Sequence, residues 1–268
     1  MNERKGVTSL RKGLSFGQLF SKKKVMNVKV MSYNIHHAVG MDGILDTERI
    51  ARILEAEGAE IIGLQEVDNQ WSKRSDFEDQ AEWLAKRLNM HYIYMANIDR
   101  APFKSGKNRR QYGAAILSAY PIIQAQNYLL TKMGDSEQRG LLEIVIDIKG
   151  HKLNVYNTHL ALTANERHIQ LNEIIQISHA AKGPKVIMGD LNTTPESTEL
   201  HSLASHYHDA FADQAEAFTY DAEGVPKRID YIFTSKEIKT SQAKVIYAPG
   251  SDHFPIIVTL TLDPSSSK

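Results

Sequence analysis

The chain has 268 residues, no cysteine and a formal net charge of zero. That composition excludes disulfides, thiolate catalysis and cysteine-ligated zinc, and no run of 18 apolar residues is present to cross a membrane as a helix. The charge is uneven: residues 1–25 carry seven basic side chains against Glu3 alone, and the remaining 243 carry 25 basic and 31 acidic groups, a body unsuited to general polyanion binding but supplied with carboxylates for a divalent cation.

In chain order, Gly6, Gly13 and Gly17 interrupt a serine- and lysine-rich stretch, so residues 1–25 are predicted to be a flexible basic tail. Contact with nucleic acid or anionic lipid is the alternative to a simply solvated tail. It lacks the apolar centre of a secretory signal, and the chain is expected to be a cytoplasmic monomer. Residues 26–263 are expected to form one catalytic domain and residues 264–268 a loose end.

Val28–Tyr33 is β-rich and ends in Asn34-Ile35-His36-His37. Asp46 is placed to cap a helix whose Ile50, Ile53 and Leu54 share a face and which Gly58 ends. A short strand, Ile61–Leu64, leads into Gln65-Glu66-Val67-Asp68, and Phe77, Ala81, Leu84 and Leu88 mark a helix over 77–89. Strands are predicted at 91–96 and 112–118, separated by a cationic loop with Arg100, Lys104, Lys107, Arg109 and Arg110. Leu141–Ile148 and Lys152–Leu160 flank Lys149-Gly150-His151 as a hairpin. A helix over 164–181, a strand over 185–192, a short helix near 196–204 and strands at 228–233, 243–247 and 256–262 complete the pattern. Helix-linked and antiparallel strands mixed in this way indicate an α/β protein of α+β type.

Six predicted strand ends carry polar groups: Asn34, Glu66, His159, Asp190 with Asn192, Asp230, and Asp252 with His253. Residues i and i+2 of an extended chain point the same way, so Asp190 and Asn192 would project together to position a water and take its proton. An Asx-type turn is the structural alternative. Carboxylates flanked by apolar residues need one another or a cation. Oxygen and imidazole donors without thiolate suit Mg2+, with Mn2+ or Ca2+ as alternatives.

The motifs Tyr33-Asn34-Ile35-His36, Leu64-Gln65-Glu66-Val67, Tyr112–Ser118, Asn157-Thr158-His159-Leu160, Gly189-Asp190-Leu191-Asn192, Arg228-Ile229-Asp230-Tyr231-Ile232 and Ser251-Asp252-His253-Phe254-Pro255 occur in that order. The series resembles the endonuclease/exonuclease/phosphatase superfamily of DNase I-like metallophosphoesterases over about residues 28–262. The resemblance implies a four-layer sandwich, with two mixed β-sheets face to face and helices outside. It implies Glu66 as principal metal ligand with Asn34 beside it and Asp252 near the metal or supporting the site. Asp190 would activate the attacking water with Asn192 holding it, and His253, oriented by Asp230, would contact the phosphate. His159 would hold a phosphate oxygen or assist the leaving group.

Outside those motifs, Arg139, His36 or His37, and Arg74 are candidate substrate contacts. Tyr112 is expected to pack, Trp71 and Trp83 to line pocket or core, and His201, His206 and His208 to lie outside the site. The expected activity is metal-dependent phosphodiester hydrolysis of nuclease type. Alternatives are a lipid-derived or small-molecule phosphoester as substrate, or a non-catalytic binding protein on the same fold. Few aromatic platforms for stacked bases are evident beside the motifs.

Overall fold

A computed structural model describes residues 25–221 and 224–263. The basic tail, except Val25, and the loose C-terminal end therefore lie outside the described residues. In order, the elements are β1 (Met26–Asn34), α1 (Thr47–Glu57), β2 (Ile61–Asn69), α2 (Gln80–Leu88), β3 (His91–Arg100), β4 (Arg110–Ser118), β5 (Ile122–Leu129), β6 (Gly140–Ile148), β7 (His151–His159), α3 (Ala164–Ala180), β8 (Lys185–Asp190), α4 (Leu200–His206), β9 (His208–Asp209), β10 (Asp230–Thr234), β11 (Lys239–Val245) and β12 (Ile256–Leu262). Short 3-10 turns occur at His36–Ala38 and Lys73–Ser75.

The strands form two six-stranded sheets, ordered β11-β12-β1-β2-β4-β3 and β5-β6-β7-β8-β10-β9. Each contains one parallel pair, β1 with β2 and β7 with β8, and the other pairs are antiparallel. A parallel pair needs a crossover, and α1 and α3 supply it. Pleating then assigns the layers. Val28 and Val30 of β1 face Leu142, Ile144, Val155, Val186 and Ile232 of the second sheet. Met31 and Tyr33 point the other way, onto Ile50 and Leu54 of α1 and Leu84 of α2. Tyr156, Ile187 and Phe233 likewise pack on Leu171, Ile174 and Leu203 of α3 and α4. Three apolar layers between two sheets and two pairs of helices make the four-layer sandwich.

The caps fall where side chains can make them. Asp46 accepts from the Arg49 amide at 2.8 Å, and Gly58 closes α1 at φ 61°. Asp79 caps α2 through the Glu82 amide, so the helix begins at Gln80 and not at Phe77, which sits outside it at φ 57°. Strand β5 has no counterpart in the sequence reading. It is an outer strand whose Gln124, Ala125 and Gln126 are exposed, so no buried apolar face announces it. Strand β11 starts at Lys239, earlier than expected, and crosses a register shift between Ser241 and Lys244.

Two buried amides cross the seam between the sheets. Gln65 Nε2 donates to Asn157 Oδ1 at 2.7 Å, and Asn157 Nδ2 donates to the carbonyls of Leu64 and Ala115 at 2.8 and 2.9 Å. They lie one residue before Glu66 on β2 and two before His159 on β7.

Candidate active site

Register brings the polar strand ends together. His159 on β7 pairs with Asp190 on β8, and Asp190 pairs with Asp230 on β10, so three titratable residues occupy one row of the second sheet. The first sheet contributes Asn34, paired with Gln65, at the end of β1. Glu66 follows at a bulge in β2 and is held at φ 56°. His253 arrives from the segment before β12, positioned by its amide donating to Ser251 Oγ at 3.2 Å.

Asp190 is the hub. It is only 1% exposed. One carboxylate oxygen accepts from the Asn192 amide at 2.9 Å. The other accepts from Asn34 Nδ2 at 3.1 Å and lies 3.4 Å from His159 Nε2 and 3.6 Å from His253 Nε2. Asn34 Nδ2 also donates to Glu66 Oε1 at 3.1 Å, so one amide bridges the two sheets' carboxylates. Its oxygen accepts from the His36 amide at 3.1 Å. The chain is not extended through Asn192 as expected: β8 ends at Asp190, and Asn192 turns to φ 51°. Its amide bond to Asp190 Oδ1 is the Asx-type alternative, and its side-chain Nδ2 donates to the Leu160 carbonyl at 2.9 Å.

The two histidines are prepared in opposite states. His159 Nδ1 lies 3.0 Å from Arg139 Nη1, and a guanidinium can only donate, so Nδ1 accepts and the proton sits on Nε2, toward Asp190. Burial, then the Arg139 and His253 charges, push His159 well below the ordinary histidine range, so it is neutral. His253 is also buried, which opposes its charge. Asp230, 2.8 Å from its Nδ1, and Asp190 outweigh that cost and raise it to about 10, so it is cationic. Burial raises Asp190 and the Asp230 charge adds to it, against His253 and the two amide bonds, leaving it at about 7.

Arg139 is buried and tied to Glu137 Oε1 at 2.6 Å as well as to His159. It orients an imidazole at the centre and is not a surface arginine. Glu137 was missed because nothing distinguishes it from the polar residues around it in 132–138. Arg74 is held by two bonds to buried Asp68, at 2.9 and 2.7 Å, so its fork is largely committed. Asp252 accepts from Ser251 Oγ at 3.1 Å and faces His36 Nδ1 at 3.7 Å. Tyr220 was also missed; its ring lies 4.9 Å from that of His253. Trp83 packs on the α1–α2 layer, away from the centre.

A model of the endonuclease/exonuclease/phosphatase family matches residues 31–253, most of the chain. The chain belongs to this family. The match begins at the end of β1 and closes on His253, so it encloses every strand end at the centre. Among solved family structures, the endonuclease/exonuclease/phosphatase of Beutenbergia cavernae is 25% identical, with a TM-score of 0.74 over 88% of this chain and 72% of that one. Two others share the fold at lower identity. A mannosyl-6-phosphatase of Bacteroides thetaiotaomicron is 19% identical, with a TM-score of 0.69 over 88% and 100% of the chains. TDP2 of Caenorhabditis elegans is 21% identical, with a TM-score of 0.66 over 88% and 75%. No curated protein sequence matches the chain. Membership makes the protein a phosphoesterase-type hydrolase.

Family members are typically divalent-metal dependent, and the donors present fit a cation beside Glu66. Glu66 is half-buried and bonded by Asn34 on one oxygen. His36 and His37 each bring a ring nitrogen within 4.8 Å of its carboxylate. Asp190, Asp230 and His253 form a second compact group, in which Asp230 Oδ2 is committed to His253 Nδ1 at 2.8 Å and Asp230 Oδ1 is buried without a hydrogen-bond partner.

The surroundings hold aromatic rings that were not evident beforehand. Trp71 and Tyr112 lie 5.9 Å apart, and the Arg74 guanidinium sits 5.4 Å from both rings. Arg100 and Arg110 lie 5.2 and 5.4 Å from the Trp71 ring, and Arg110 is 3.6 Å from that of Phe103. A cavity of about 590 Å³ follows, lined in part by Phe77, Phe103, Lys104, Lys107 and Arg110.

Proposed function

We propose that the protein is a divalent-metal-dependent phosphodiesterase of nuclease type. The observation that carries this reading is the convergence on Asp190 of a neutral His159, a cationic His253 and the Asn34 amide that also holds Glu66. A carboxylate raised to about 7 is matched to taking a proton from water near neutral pH. Asn192 stands beside it to orient that water. His253, fixed by Asp230, offers a positive charge to the phosphate oxygens, where negative charge develops. His159 presents an N–H held in one tautomer by Arg139. A cation held by Glu66 would add Lewis-acid stabilisation of the phosphoryl group. The water oxygen attacks phosphorus, its proton passes to Asp190, the ester bond in line with it breaks, and the leaving oxygen departs with the bonding pair and takes a proton from solvent.

The nuclease part of the reading is supported by half-buried Trp71 with Arg100 and Arg110 against its ring. An aromatic face suits a base and guanidinium groups suit backbone phosphates. The test offers the protein, with Mg2+ or Mn2+, single-stranded DNA, plasmid DNA, a generic diester, a generic monoester and a phospholipid. Hydrolysis of DNA and diester that is lost in Glu66→Gln is expected. Turnover of the monoester or the phospholipid alone would overturn the nuclease assignment, and turnover of none would leave a binding protein on this fold.

A further inference from the structure

We propose that His36 and His37 join Glu66 in one cation site, and that it takes an imidazole-preferring transition ion such as Co2+ or Zn2+ in preference to Mg2+. The inference rests on the reading of Glu66 as a metal ligand and adds the chemistry of that ion. One nitrogen of each ring and one Glu66 oxygen lie within 4.8 Å of one another, a spread that one ion can span after small side-chain adjustment. The rings stand edge to face at 4.4 Å.

Three further observations point to a ligand. First, His37 Nδ1 is buried with no hydrogen-bond partner. A packed neutral histidine normally satisfies such an atom. Second, Asp252 Oδ1 faces His36 Nδ1 at 3.7 Å. A carboxylate behind one ring nitrogen is the arrangement that orients imidazoles toward ions through the other. Third, His36, His37, Ala38 and Glu66 all lie at positive φ, from 42° to 64°, and none is glycine. Strain of this kind persists only where the surroundings fix it. Here the Ala38 amide bonds the Ile35 carbonyl at 2.8 Å, the Val39 amide bonds the His36 carbonyl at 2.9 Å, and Gln80 Nε2 bonds the His37 carbonyl at 2.7 Å.

The donor set selects the ion. Mg2+ favours oxygen ligands and retained water, as Mn2+ largely does, whereas paired imidazoles suit Co2+ and Zn2+. The Asn34 oxygen, a candidate hard ligand, is already bonded to the His36 amide. Two imidazole ligands and one carboxylate leave a bound divalent ion with net positive charge for a phosphate.

The test uses the metal-depleted full-length chain. Co2+ binding is read from its visible absorption, Mn2+ binding from the paramagnetic signal of the free ion, and Mg2+ binding by competition. The variants are His36→Asn, His37→Asn and the double variant, because asparagine tolerates positive φ. The wild type is expected to bind Co2+ at least tenfold more tightly than Mg2+ and to give a nitrogen-ligated Co2+ spectrum, with Mn2+ closer to Mg2+. Each single variant should weaken Co2+ by about tenfold or more and leave Mg2+ nearly unchanged. Equal wild-type affinity for Co2+ and Mg2+ overturns the inference whatever the variants do. So does an unaltered Co2+ spectrum in the folded double variant. If Glu66→Gln abolishes binding while the double variant does not, this inference alone fails. If Glu66→Gln leaves binding intact, the reading of Glu66 fails as well.

Discussion

Gly189 and Asp190 show how closely backbone and chemistry are joined in this protein. Gly189 adopts φ 143°, and a Cβ there would lie 1.9 Å from the Thr158 carbonyl oxygen. Parallel pairing of β8 with β7 at this point therefore requires glycine. Gly189→Ala is expected to cost about 3 kcal/mol or more, since neither backbone can retreat without breaking the row that holds His159 and Asp190. Urea unfolding would measure it, and a loss under about 1 kcal/mol would mean that the pairing relaxes easily. At the next residue the effect should reverse. Asp190→Asn keeps the shape and removes a buried charge, so stability should hold or rise. The amide cannot take a proton, and kcat should fall by about 10²–10⁴-fold. Near-normal turnover in the folded variant would remove Asp190 from its role as base.

Among the elements, β2 and β7 bind the two sheets through polar groups set directly below the site. Asn157→Leu would take their side-chain donor from the Leu64 and Ala115 carbonyls and deprive the Gln65 Nε2 donor of its shortest acceptor in an apolar seam. The expected cost is about 3 kcal/mol in chemical denaturation, with a larger fall in activity than the stability loss explains, because Glu66 follows Gln65. An unchanged midpoint would show that the seam repacks without these bonds. The same elements show what could be read beforehand. Asn34, His159 and Asp190 end apolar strands, Asp230 opens one and His253 stands just before another, where a polar group stands out against its neighbours, and pairing register aligns those within the strands. The fourfold linkage of Arg139, Glu137, His159 and Asp190 was not legible, because it depends on which way β6 enters the sheet. Trp71 and Tyr112 are 41 positions apart and meet only because β2 pairs with β4. The 3-10 turn at His36–Ala38 was hidden too, since no glycine marks its left-handed backbone.

Over the whole molecule, proton linkage ties the site to stability. His253 is raised from 6.5 to about 10 and Asp190 from 3.8 to about 7. In both cases the folded protein binds the proton more tightly than the unfolded chain. Their contribution is thus complete below the lower value of each pair and is lost as pH rises toward the higher one. The metal-free protein is expected to lose stability between about pH 7 and 10, and Asp230→Asn, which lowers the His253 shift, should flatten that slope. A thermal midpoint that climbs over this interval would contradict the assignment. The rate should depend oppositely on pH: kcat should rise with deprotonation of Asp190, giving an acid limb near neutrality that is absent in Asp190→Asn.

Strand order carries a consequence for synthesis. Strands β12 and β1, the last and first among the described residues, lie side by side inside the first sheet, and His253 stands just before β12. A nascent chain holding Glu66, His159 and Asp190 still lacks both the cationic imidazole and the strand that completes the first sheet. Closure joins residues more than 200 positions apart, a contact that forms late because its loop entropy is high. Hydrolytic power therefore waits on this closure, and a product that stops before His253 and β12 is expected to lack it.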